Sequence, residues 1–136
     1  SKVPVAKIKN EAGTYDAYTS LQQAVNAVKE GMRSVTSGEA GTAYARFKNF
    51  NIAVGGKTGS AEAGKDAKGK DIVNAWFAAF APYDDPEIAV VIMVENGGHG
   101  NYTAEAVRNI MAEYFGMNTQ DVTEDMQANA YTESMR

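Results

Sequence analysis

The densest grouping of residues that could do chemistry is Lys57-Thr58-Gly59-Ser60. Lysine brings a fixed positive charge, and threonine a short hydroxyl able to donate to a carboxylate. Glycine leaves room for a substrate backbone to lie close. One reading is a phosphate-binding loop, which needs a glycine five positions before Gly56 and a helix after the lysine and threonine. That earlier position is Asn51, and the residues after Gly59 have no helical pattern, so this reading fails. The other reading is a strand that presents a binding edge. Phe50, Ile52 and Val54 alternate with Asn51 and Ala53, as on a strand with one buried face, and run directly into the triplet.

Other reactive residues are sparse. His99 sits in a glycine-rich turn without neighbouring metal-ligand types, and reads as structural or solvent-facing. Glu62 reads as an exposed acid. Lys65, Lys68 and Lys70 read as charges that keep a loop solvated. The chain has no cysteine, which removes disulfides, thiol catalysis and thiolate metal sites. A formal net charge of −4 without a basic stripe argues against a nucleic-acid partner. No apolar run approaches the ~18 residues of a membrane span. The opening Ser1-Lys2-Val3-Pro4-Val5 reads as the middle of a protein, so any targeting segment is expected outside the chain.

The surrounding pattern supplies elements to hold the triplet. Val3, Val5 and Ile8 suggest a short strand or connector, and Gly13 to Thr19 a further connection. Leu21, Val25, Val28, Met32 and Val35 recur at steps of four, three, four and three, which predicts an amphipathic helix. Ser20 with Gln23, or Thr19 with Gln22, would cap it, and Ser37-Gly38 would end it. A shorter helix is expected over 42–47. The glycine- and lysine-rich stretch from Ala63 to Asp71 reads as a loop. Two strands, 74–81 and 88–94, are apolar on both faces and expected to be covered above and below, with Trp76 and Phe77 in the core. The short link Tyr83-Asp84-Asp85-Pro86 predicts an antiparallel hairpin. A final helix over 104–115 should present Val107, Ile110, Met111 and Tyr114 or Phe115 to the sheet and stop at Gly116. Residues 117–136 carry four acids and one base, a tail of net charge −3. The fold class is α/β (α+β), an antiparallel sheet covered by helices. With so few helices for the sheet, residues 1–116 read as an incomplete domain.

An ordered series of motifs then carries a family resemblance. Gly31-Met32-Arg33-Ser34-Val35, Gly41-Thr42-Ala43, Val54 to Glu62, Asn74-Ala75-Trp76-Phe77, Phe80-Ala81-Pro82 and Val91 to Gly98 together resemble the end of class B penicillin-binding protein transpeptidase domains. The match extends over about Leu21 to Phe115. The resemblance implies the C-terminal portion of the penicillin-binding protein and serine β-lactamase-like fold, with its third, fourth and fifth strands and closing helix. It implies that Lys57 adds positive potential and that Thr58 holds the carboxylate of a terminal D-alanine or a β-lactam. Gly59 would permit close approach, and the backbone N–H of Ser60 would be one of two oxyanion donors. Lys57 and Ser60 are thus the implied catalytic residues, and Lys57, Thr58, Gly59 and Ser60 the implied substrate-binding residues. Many members have threonine where this chain has Ser60, but the donor is backbone.

The family's nucleophile motif, Ser-x-x-Lys, and its Ser-x-Asn loop have no match. Ser1, Ser20, Ser34, Ser37, Ser60 and Ser134 all lack a lysine three residues on. The resemblance therefore implies an upstream partner segment bearing both motifs, with peptidoglycan stem peptides and β-lactams as ligands. No cofactor or metal is implied. The setting would be the outer face of the cell membrane, with the anchor outside this chain. A serine β-lactamase, a D,D-carboxypeptidase or a non-catalytic penicillin sensor would use similar walls. The Trp76 segment and the Gly-Thr-Ala stretch favour the class B resemblance.

Overall fold

The structure, a computed structural model, describes residues 6–10, 12–98 and 101–117. Val3, Pro4, Val5, His99 and the acidic stretch 118–136 lie outside the described residues. Two strands open the chain, β1 (Ala6–Lys9) and β2 (Tyr15–Tyr18), paired antiparallel from Ala6↔Tyr18 to Lys9↔Tyr15. Around Ile8 the strand alternative holds, and the expected connection 13–19 instead contains the second strand of a hairpin. Its turn is made by local bonds: the Asn10 side-chain carbonyl accepts from the Thr14 N–H at 3.0 Å and Thr14 Oγ1 at 2.9 Å.

The helix expected after Ser20 is α1 (Leu21–Ser37), with Ser20 Oγ accepting from the Gln23 N–H at 3.2 Å. The first half of its apolar stripe is not buried, although Val35 at the other end packs against the core. Leu21 is 73% exposed and Val25 and Val28 are exposed, whereas Ala24 and Thr36 are buried. The periodicity marks a helix correctly, but no surface among the described residues covers its first half. A single turn, α2 (Tyr44–Phe47), follows.

Three antiparallel strands form the main sheet in the order β3-β4-β5: β3 (Gly55–Lys65), β4 (Asp71–Ala81) and β5 (Ile88–Val94). Here the expected boundaries need correction. Phe50 to Val54 is not a strand; Phe50 closes a turn onto the Phe47 carbonyl at 2.9 Å. The triplet lies within β3 rather than after a strand, and the expected loop 63–71 narrows to residues 66–70, its first three residues belonging to β3 and Asp71 opening β4. β3 is read poorly from composition because glycine has low strand preference. Two of its glycines are there for packing. A Cβ on Gly56 would meet the Phe77 ring at 2.6 Å, and one on Gly55 the Phe80 ring at 2.6 Å. Aromatic rings from β4 occupy the space that side chains on β3 would take.

The helix α3 (Asn101–Tyr114) closes the fold and ends at Gly116, whose φ is +66. It buries Ala104, Val107, Met111 and Ala112, while Ile110 and Tyr114 are exposed. The core joins these residues to Phe47, Phe50, Val54, Phe77, Ala79 and Ala81. Among the described residues this face is the covered one, and the other is met by α1 only near Phe80, where Lys29 lies over the ring. On the other face Trp76 is 39% exposed and Val91 63%, so Trp76, expected in the core, is not buried among the described residues, whereas Phe77 is.

A polar clamp ties α1 to the entry of β3. The Thr36 hydroxyl donates to the Val54 carbonyl at 2.5 Å, and Arg33 Nη1 donates to Thr36 Oγ1 at 3.1 Å and to the same carbonyl at 3.4 Å. Thr36 is 1% exposed. Replacing it with valine keeps the shape and removes the buried hydroxyl's bonds to Val54 and Arg33, leaving the Val54 carbonyl only the longer Arg33 contact, at an expected cost of about 1–3 kcal/mol. A urea midpoint unchanged by Thr36→Val in the complete domain would show that the clamp carries no stability.

Candidate functional site

β3 is an edge strand: β4 pairs with one side of it, and no strand pairs with the other among the described residues. An unpaired edge offers backbone N–H and C=O groups to an extended ligand. The sequence-predicted residues are brought together on this edge. Lys57 and Ser60 are exposed, and Thr58 and Gly59 half-buried. The register Thr58↔Phe77 seats the threonine opposite the most deeply buried ring of the core. Lys57 Nζ donates to the Thr58 carbonyl at 2.5 Å, which holds its charge beside the edge.

At Gly59 the structure adds a packing contact to the close approach expected there. A Cβ there would lie 3.2 Å from Trp76 Cβ, across the strand pair on the same face. A side chain there would crowd Trp76, so glycine favours close packing of β3 on β4, and among the described residues no strand covers the outer edge.

Beside the edge lies a recess of about 380 Å³ lined by Ser34, Gly38, Gly41, Thr42, Lys57 and Thr58, among others. One wall is the last turns of α1, and another is the loop 38–43. That loop is fastened to the helix end. The Gly41 N–H donates to the Gly38 carbonyl at 2.7 Å, and the Ala43 N–H to the Val35 carbonyl at 3.0 Å. Gly41 is indispensable to the fit, since a Cβ would fall 2.4 Å from the Ser34 carbonyl oxygen and 2.5 Å from that of Val35. The loop delivers Thr42, whose Oγ1 lies 3.1 Å from Thr58 Oγ1. Reading the sequence by residue chemistry did not single out Thr42; its only signal was membership of the Gly41-Thr42-Ala43 motif.

The recess can hold a carboxylate between hydroxyls and a cation, but it contains no activated nucleophile. Ser34 Oγ is turned back to donate to the Glu30 carbonyl at 3.1 Å. Glu62 is exposed at the far part of β3, and Lys65 pairs with Asp71 at 2.5 Å. Lys65 thus supports the hairpin tip as well as keeping it solvated. No three His, Cys, Asp or Glu side chains gather as a metal site requires among the described residues.

With this geometry in hand, three comparisons converge. The family model described as the penicillin binding protein transpeptidase domain matches residues 18–112. The peptidoglycan D,D-transpeptidase MrdA of Haemophilus influenzae is 32% identical over 112 residues, covering 74% of this chain and 17% of the relative. MrdA of Escherichia coli is 30% identical over 117 residues, covering 77% and 18%. The chain therefore spans less than a fifth of the length of these curated relatives. Among solved structures, Pseudomonas aeruginosa PBP2 in complex with WCK 5153 superposes with a TM-score of 0.61 at 31% identity, covering 73% of this chain and 21% of that one. PBP2 of Helicobacter pylori reaches the same TM-score at 23% identity over 84% and 22%, a likeness of fold.

Proposed function

The chain belongs to the penicillin-binding protein transpeptidase family, and from that premise we propose that it is the C-terminal part of a peptidoglycan D,D-transpeptidase domain. Residues 1–116 would form the domain portion and 117–136 a tail. The observation that carries this reading is the free edge of β3, with Lys57, Thr58 and Ser60 accessible beside a recess.

In the proposed reaction an upstream segment supplies the Ser-x-x-Lys and Ser-x-Asn motifs. Its serine oxygen attacks the carbonyl between the two terminal D-alanines of a stem peptide, while the serine proton passes to the lysine of that motif. The Ser60 N–H and the nucleophile's own N–H hold the oxyanion. The C–N bond then breaks, the departing D-alanine takes a proton, and an acyl-enzyme remains. The amine of a second stem peptide attacks that ester, which forms the cross-link and releases the serine. A β-lactam enters by the same acylation. Thr58 grips the ligand carboxylate, Lys57 supplies positive potential to it, and Gly59 keeps β3 close-packed on β4.

The uncovered apolar surfaces support the need for that upstream segment. Leu21, Val25 and Val28 on α1, and Trp76 and Val91 on the open sheet face, are exposed here. The setting we propose is the outer face of the cell membrane, where peptidoglycan lies, with any anchor outside this chain.

The test is to assemble this chain with the segment bearing Ser-x-x-Lys and add a fluorescent penicillin. Labelling should fall on the partner serine alone. A correctly folded assembly that takes no label would count strongly against the reading, and rapid turnover of the penicillin would redirect it to a β-lactamase. In the same assay Thr58→Ala should slow acylation by about 10–150-fold, the loss of one hydrogen bond to a charged group. Unaltered acylation would place the carboxylate anchor elsewhere.

A further inference from the structure

We infer that Thr42 is a positioning residue for the ligand carboxylate, acting through Thr58. The inference rests on the reading of Thr58 as the carboxylate anchor and adds to it the group that aims the anchor.

The argument starts from the inventory of a hydroxyl, which has one hydrogen and two lone pairs. Thr58 Oγ1 and Thr42 Oγ1 are 3.1 Å apart, and the geometry allows either to donate. These two arrangements are not equivalent toward an anion in the recess. If Thr58 donates to Thr42, its lone pairs face the ligand and repel it. If Thr42 donates to Thr58, the Thr58 hydrogen is free to point at the carboxylate, and the pair polarises in the favourable sense. The bound state therefore selects Thr42 as donor and Thr58 as relay. Without the Thr42 hydroxyl, Thr58 keeps its hydrogen but loses the bond that orders and strengthens it.

Thr42 is held ready for this task. Ala43, next in the chain, is 1% exposed and bonded through its N–H to the end of α1, and Gly41 on the other side fits where a Cβ cannot. Both neighbours of Thr42 are thus fixed to α1, while Thr58 is fixed by its pairing with β4. The two hydroxyls come from separate elements, each anchored by backbone contacts. Preorganised donors of this kind are effective because no reorganisation is needed when charge arrives.

The test uses the complete transpeptidase and two probes, an N-acyl-D-alanyl thioglycolate and the matching thioglycolamide. They differ only in whether the leaving group ends in a carboxylate. Thr42→Val preserves shape without the hydroxyl. It should slow acylation by the carboxylate probe by about 3–10-fold, the net worth of one hydrogen bond, and change the carboxamide rate less than about twofold. Thr42→Ser, which restores a hydroxyl, should bring the carboxylate rate back to within about twofold of the parent. The ratio of the two probes is measured within one protein, so a partly misfolded variant does not disturb it.

A parent enzyme that discriminates between the probes, with Thr42→Val discriminating equally well, would overturn the inference while leaving Thr58 as the anchor. A parent that treats both probes alike would overturn the Thr58 reading and this inference with it. Equal losses on both probes in Thr42→Val would assign the residue a purely structural role.

Discussion

Phe77→Ala is expected to cost about 3–5 kcal/mol of folding stability, the range for removing a buried aromatic ring. Phe77 is fully buried, stacks on Phe47 at a centroid distance of 5.9 Å, and pairs in register with Ile92 of β5. Its ring tip also fills the place a side chain on Gly56 would occupy. Truncation therefore opens a cavity at the meeting point of α2, β3 and β4, and glycine offers nothing to collapse into it. Domains are stable by only about 5–15 kcal/mol, so the loss would consume a large part of the total. Urea unfolding of the complete domain measures it. Because Phe77 faces Thr58 across the strand pair, acylation should fall in the same variant even where it remains folded. A stability loss below about 1 kcal/mol would mean that the β3–β4 pairing does not depend on this ring.

Lys57→Met is expected to slow acylation by about 10–150-fold, corresponding to about 1.5–3 kcal/mol for a lost interaction with a charged group. Methionine keeps much of the aliphatic length and removes the ammonium. Lys57 is exposed and spans to the Thr58 carbonyl, so folding stability should change little. That separation makes the variant informative: the penicillin labelling rate should drop while the unfolding midpoint stays close to that of the parent. Raising the ionic strength should slow the parent more than the variant, since a cation partly open to water is screened by salt. A methionine variant that labels within about twofold of the parent would remove Lys57 from the site.

How far the sequence revealed this arrangement depended on what each segment packs against. The strand 88–94 was legible to the residue because an unbroken apolar run has few other meanings, and its bounds coincide with β5. α1 was legible as a helix from its spacing and cap, but not in its orientation. Spacing fixes which residues share a face, and says nothing of whether the covering surface belongs to the same chain. β3 was the hardest. Its first residues are glycines whose conformation is imposed by Phe77 and Phe80 from the neighbouring strand, a tertiary effect that local preference cannot express. The alternation of Phe50, Ile52 and Val54 misled for a related reason. Phe50 and Val54 are buried and Ile52 packs against the core from an irregular segment, so alternating burial arose without a sheet. Of the site, Lys57, Thr58 and Ser60 were legible through a motif with a mechanism. Thr42 was not, because its pairing with Thr58 is made across sixteen residues by a loop folded onto the end of a helix.

The tip of the β3–β4 hairpin is out of phase with its base. Pairing is continuous from Gly55↔Phe80 to Glu62↔Val73 and resumes at Lys65↔Asp71 one step displaced. Ala63 and Gly64 together thus oppose the single residue Ile72, and Gly64 takes the positive φ of +95 that suits such a bulge. A shift of one residue in a regular ladder would transfer every side chain to the opposite face, and with it Lys57 and Thr58. The bulge acts as an expansion joint: residues gained or lost beyond it, around Asp66 to Lys70, can be taken up there, and the edge from Lys57 to Ser60 keeps its alignment whatever length the tip acquires.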